Sequence, residues 1–190
     1  MAPNALPSAG RFRLHPVEPR FAPLFCLGLL TVSCALASFA LACATPFAAF
    51  AVVAAATLQL RPALLVVTGA WLVNQTIGFG VLHYPVDAST IAWGFVIGPA
   101  ALAATAVAAA ALRAAPQRRW PLALGLAVVC AYGAYEIVLF AATPFLGGAG
   151  AFTPAIVGWL GLLSFAWLIG LVAVCEIVRL LNPLRQIRST

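Results

Sequence analysis

Six apolar runs separated by short polar or Gly/Pro-rich connections organise this chain: residues 22–44, 45–60, 62–82, 90–112, 121–142 and 152–181. Most are as long as the stretch of about 20 apolar residues that crosses a bilayer as a helix. Runs of that length and apolarity cross as helices, so the pattern predicts an all-α membrane protein, a bundle of six transmembrane helices over residues 22–181. The second run is the weak one. At about 16 residues it makes roughly 24 Å of helix, less than the hydrocarbon thickness. It therefore reads as short, untilted or partly re-entrant. Residues 1–21, with Pro3, Pro7, Pro16 and Pro19, read as an N-terminal tail, and residues 182–190 as a C-terminal one.

Composition confirms the class and charge orients it. Apolar residues make up 64% of the 190 and charged ones 7%, against about a quarter charged in soluble domains. All 10 basic residues are arginines. Arg11, Arg13 and Arg20 precede the first run and Arg61 follows the second. Arg113, Arg118 and Arg119 follow the fourth, and Arg179, Arg185 and Arg188 close the sequence. Every second connection carries arginine, the positive-inside pattern of an even number of crossings with both termini cytoplasmic. The net charge of +6 is thus explained by orientation and lipid headgroups, without nucleic acid. Residues 11–44, ending in Ala40-Leu41-Ala42, imitate a cleaved signal peptide, but the apolar stretch has spanning length and its removal would break the arginine parity. The absence of lysine excludes a phosphate-loop ATP site and Schiff-base chemistry. Cys26, Cys34, Cys43, Cys130 and Cys175 all fall in apolar runs with no CxxC pair, as small buried hydrophobes rather than disulfides.

Polar side chains inside hydrocarbon are the functional candidates, because each needs a partner there. Trp71, Asn74, Gln75 and Gly78 form a stripe on the third run; Tyr132, Tyr135 and Glu136 form another on the fifth. With His83, Tyr84, Asp87, Trp93 and Trp159 they concentrate toward the outward side, which predicts an outward-open pocket. Plainer readings stand beside this one. Asn74 and Gln75 also suit helix–helix hydrogen bonds. Tyr84, Trp93 and Trp120 suit interfacial aromatic belts, and His83 a solvated loop. Gly94-x-x-x-Gly98 is a packing motif first. Glu136, with no arginine at its depth, is either protonated or exposed to water in a cavity. Glu176 and Arg179 suit an i,i+3 pair or a partner interface.

The stretch Trp71-Leu72-Val73-Asn74-Gln75-Thr76-Ile77-Gly78-Phe79-Gly80-Val81-Leu82-His83-Tyr84-Pro85, followed by Asp87 and Trp93-Gly94, resembles the solitary S-component-type cobalamin transporters of Gram-negative bacteria. These are relatives of the substrate-binding S-components of energy-coupling-factor transporters. The resemblance rests on Asn-Gln-x-x-Gly-Phe and Tyr-Pro within residues 71–94, with length, topology and composition elsewhere. It implies an inner-membrane protein that takes up cobalamin, the transported ligand, with no permanently bound cofactor and with an energising module or none. The implied substrate-binding residues are Asn74, Gln75, His83, Tyr84, Asp87, Trp93, Tyr132, Tyr135, Glu136 and Trp159. Pro85 and residues 147–150 would form an outer lid. Some family members carry a cobalt-binding cysteine near the outer end of the third helix; none lies between Cys43 and Cys130 here. That speaks against thiolate-assisted removal of the cobalt's upper ligand and leaves His83 as the candidate axial ligand. Two rival readings remain. One is a non-catalytic assembly subunit, whose outer side would be packed shut. The other is a membrane enzyme using Glu136, Asp87 and His83 as acid–base groups, for which no nucleophile motif or metal spacing is present.

Overall fold

The computed structural model describes residues 13–41, 44–115 and 119–182, and all regular structure there is helical. Cys43, Arg11, Arg118, Arg185, Arg188 and most of both predicted tails lie outside the described residues. The helices are α1 (Ala22–Leu41), α2 (Phe47–Thr57), α3 (Leu60–Gln75), α4 (Ala88–Ala114), α5 (Trp120–Leu146) and α6 (Pro154–Leu181). Beyond Gln75, α3 continues as a wider π turn, Thr76–Val81, and a single 3-10 turn, Ala149–Phe152, precedes α6. Five of these helices are long and apolar enough to cross a membrane. Their outward faces carry Leu24, Leu65, Phe95, Val129, Leu162 and Ile169, all exposed, which suits lipid rather than water. The chain is a multi-pass helical membrane protein.

The second apolar run, short by its sequence, is shorter still as a helix. It forms an 11-residue helix, about 16 Å long, too short to cross hydrocarbon alone. Ten of its residues are buried, most of them completely. A helix apolar on every face belongs inside a bundle, and α2 packs against α1, α3, α4, α5 and α6. Alanines let the neighbours close on it. Ala100, Ala101, Ala104 and Ala108 of α4 and Ala123, Ala127 and Ala131 of α5 are all buried, and small residues at such spacing allow backbones to approach. Hydroxyls in this interior are absorbed locally: Thr57 Oγ1 donates to the Val53 carbonyl (2.8 Å) and Thr105 Oγ1 to the Ala101 carbonyl (2.8 Å).

Two tethers set the height of α2. At one end the Leu14 amide donates to the Ala56 carbonyl (2.8 Å), close to Arg13, Arg61 and Arg113, which line a common recess. At the other, Asn74 Nδ2 donates to Thr45 Oγ1 (2.9 Å), just before α2 starts. The run from Thr45 to Leu58 thus joins the far end of α1 to the arginine end of α3, although its helix spans only part of that depth. Other boundaries shift less. The first helix is described as far as Leu41 and Ala44 is not helical, while the fifth extends to Leu146. The fourth begins where Asp87 accepts from the Thr90 amide (3.0 Å) and the sixth where Thr153 Oγ1 accepts from the Ile156 amide (3.4 Å). Each side chain satisfies an amide that the first turn leaves unbonded. Glu176 pairs with Arg179 (2.5 Å) as the spacing predicts, and Cys26, Cys34, Cys130 and Cys175 are free thiols.

Candidate functional site

Because α2 begins only at the depth of Asn74, the central position of the bundle is vacant above it. What remains is a cavity of about 450 Å3 at the end away from Arg13, Arg61 and Arg113. Thr45, Pro46 and Phe47 form its floor, and α3, α4, α5 and α6 its walls. Thr90, Gly148 and Ala151 line it near the connecting loops.

Asn74 anchors the wall formed by α3. Buried at 7% exposure, it donates to Ser38 Oγ (3.0 Å) on α1 and to Thr45 Oγ1, and accepts from Gln75 Nε2 (3.2 Å). Its carboxamide is therefore engaged in holding α1, the floor and α3 together, with Gln75 as the amide turned to the cavity. Cys34 Sγ adds a bond to the Ala70 carbonyl (3.1 Å) along the same seam. Gly94 and Gly98 do not bring two backbones together; they seat side chains. Trp71 Nε1 donates to the Gly94 carbonyl (2.9 Å). A Cβ at position 98 would lie 3.0 Å from the Trp71 ring, and one at position 94 would lie 2.5 Å from Gln75 Oε1.

The π turn builds the next part of the wall. Its Leu82 amide reaches the Ile77 carbonyl (2.8 Å), and the Tyr84 amide returns to the Gly78 carbonyl (3.0 Å). The Tyr84 ring lies across Gly78, where a Cβ would meet it at 2.7 Å, and stands edge-on to Phe79 with centroids 6.1 Å apart. Such widened turns in helices are frequent at functional sites. Opposite, Tyr132 OH donates to the Val157 carbonyl (2.7 Å), tying α5 to α6, while Tyr135 packs 6.2 Å from Phe47. Glu136 is half-buried on the same wall; no histidine, arginine or aspartate accompanies it in the lining.

Seven of the expected site residues thus meet around one cavity: Asn74, Gln75, Tyr84, Trp93, Tyr132, Tyr135 and Glu136. Three do not. Trp159 is 68% exposed, on a face of α6 that turns away from the lining. Asp87 is exposed and acts as the α4 cap, taking both the Thr90 amide and Thr90 Oγ1 (2.7 Å). The Thr90 amide and hydroxyl hold its carboxyl below the ordinary value of 3.8. A lowered folded pKa adds stability above the ordinary range that is lost as pH falls through the folded value. The cap is therefore intact at neutral pH. His83 is exposed, outside the lining, and held at φ 55°, a left-handed conformation that histidine tolerates better than most residues. The chain turns at this residue and the Tyr84 ring that follows folds back over Gly78.

Sequence reasoning missed Thr45, Phe47, Phe79, Ile97, Leu139, Phe152 and Ser164, which also line the cavity. All but Thr45 and Ser164 are apolar and indistinguishable by type from lipid-facing neighbours. Thr45, next to a proline before a run too short to span, carried a usable signal. Among the described residues no three of His, Cys, Asp and Glu gather as metal ligands, and Glu136, Asp87 and His83 do not share the cavity. The chemistry on offer is an aromatic and apolar enclosure with one carboxyl, one free-facing amide and several hydroxyls, which suits a ring-bearing organic ligand with polar edge groups. The chain matches no protein-family model, no curated protein and no solved structure.

Proposed function

We propose that the chain binds cobalamin or a related corrinoid in this cavity from the periplasmic side of a bacterial inner membrane and serves its uptake. The observation that carries the reading is the aromatic, amide-bearing cavity at the end away from the arginines. A closed outer side would support an assembly subunit, whereas this end holds a largely apolar and aromatic cavity with a few converging polar groups, the usual make-up of a ligand pocket. Corrin faces are apolar and the ring edge bears amides, which complements Tyr84, Trp93 and Tyr135 for the faces and Gln75 and Glu136 for the edge.

A corrinoid is larger than a 450 Å3 space. Entry therefore requires the loops over the cavity to part. The loop at Gly147 and Gly148 (φ 77° and 86°) is suited to this, since glycine adopts such angles without a Cβ clash. Inward release draws on bundle tilting or a separate energising module. His83→Ala is expected to leave corrinoid affinity within about threefold, under 1 kcal/mol, with no change in the visible spectrum of the bound ligand. A spectral shift lost in that variant would place the imidazole on cobalt. Transport is tested by growth of a corrinoid-dependent bacterium lacking its own inner-membrane importer. Growth on low external cobalamin upon expression of this chain supports uptake. A membrane-inserted chain that gives no growth refutes uptake by this chain without a separate energising module.

A further inference from the structure

We propose a second binding site, at the arginine end, for a phosphate-bearing anion. Arg13 precedes α1, Arg61 lies in the first turn of α3 and Arg113 in the last turn of α4, yet all three line one recess of about 410 Å3. The positive-inside bias asks only that arginines lie on that side; it does not ask them to converge. Convergence is built in, because the Leu14 amide bonds to the Ala56 carbonyl and Leu14 is buried, holding Arg13 over the end of α2.

Among the described residues no acidic side chain pairs with the three. The chain has four acidic residues. Glu18 pairs with Arg20 (2.9 Å) and Glu176 with Arg179, while Asp87 and Glu136 sit at the opposite end. The carboxyl ends of α2 and α4 help hold the guanidiniums by their partial negative charge. The start of α3 faces the same recess through Gln59 and Leu60, with no side-chain cap, and offers an amino-terminal dipole to an anion. Planar guanidinium forks match phosphate oxygens. Beside them Ala55, Leu58, Leu60 and Leu112 form an apolar flank, where an acyl chain would continue into the bilayer. A phospholipid headgroup and a soluble phosphate share the recognised chemistry.

The test uses the full chain, purified in detergent and delipidated, with thermal stabilisation as readout on addition of phosphatidylglycerol, phosphatidylcholine or pyrophosphate. Phosphatidylglycerol is expected to bind at least about tenfold tighter than phosphatidylcholine, and R61Q/R113Q to remove that preference. The charge-retaining R61K/R113K, which preserves membrane orientation, is expected to weaken binding on the order of threefold. Saturable stabilisation by pyrophosphate but not phosphatidylglycerol, lost in R61Q/R113Q, would identify the source as a soluble phosphate. The site is refuted if neither anion outdoes phosphatidylcholine. It is equally refuted if R61Q/R113Q and R61K/R113K both bind like the wild type.

Discussion

Gly94→Leu is expected to lower corrinoid affinity at least about a hundredfold, some 2.7 kcal/mol, while leaving the bundle assembled. A Cβ at this position falls 2.5 Å from Gln75 Oε1 and 3.4 Å from the Phe79 ring. The Gln75 carboxamide is the flexible end of a side chain, so it can swing aside, but the space it swings into is the cavity. Leucine then occupies both the seat of the amide and part of the 450 Å3 behind it. Overpacking of this kind costs about 1–3 kcal/mol of stability. The control is Gly28→Leu, where a Cβ meets nothing within 4 Å. Calorimetric titration of both variants checks the contrast. Equal affinities would show that the ligand sits elsewhere.

Much of this site was legible in the sequence, for a definite reason. Asn74, Gln75, Tyr132, Tyr135 and Glu136 are polar where hydrocarbon penalises polarity, so their partners had to lie inside the bundle. The arginine pattern ordered the connections, and three of those arginines do gather at one end. The vacancy itself was less legible. It arises because α2 is 11 residues rather than a full span, and the break at Thr45-Pro46 that shortens it is only a weak signal in an unbroken apolar sequence. His83 and Trp159 lie outside the lining, and residue type alone says nothing of direction. The π turn and a left-handed φ swing Tyr84 over Gly78 and leave His83 outside, and Trp159 falls on an exposed face of α6. The apolar wall residues, Phe79, Ile97 and Leu139 among them, could not be separated from lipid-facing ones without the helix rotations.

Phe50→Ala is the second large effect expected, this time on stability. Phe50 is completely buried in α2, edge-on to Phe47 with centroids 5.7 Å apart. In a bilayer the gain from leaving water is absent between helices. What alanine forfeits is contact, since a void in a rigid interior has no atoms on one side. Phenylalanine truncations in cores cost about 3–5 kcal/mol; without the water-transfer part, about 2–3 kcal/mol remains. At roughly 2–4 °C per kcal/mol for a chain of this size, the unfolding midpoint in detergent drops by about 5–10 °C. Leu65→Ala, at a position 72% exposed on α3, should stay within about 0.5 kcal/mol of wild type. If the two variants melt together, α2 is not the packed axis of the bundle.

The measurement closest to the central claim is a titration of purified, monodisperse protein with cyanocobalamin and with cobinamide, by calorimetry and by quenching of tryptophan fluorescence. Trp93 lines the cavity, so a corrinoid seated there, which absorbs in the tryptophan emission range, quenches that signal. Saturable one-to-one binding, with quenching that Trp93→Phe diminishes, is the result expected. A folded sample that binds neither compound contradicts the corrinoid assignment, and binding whose quenching is unchanged in Trp93→Phe contradicts the cavity as its location.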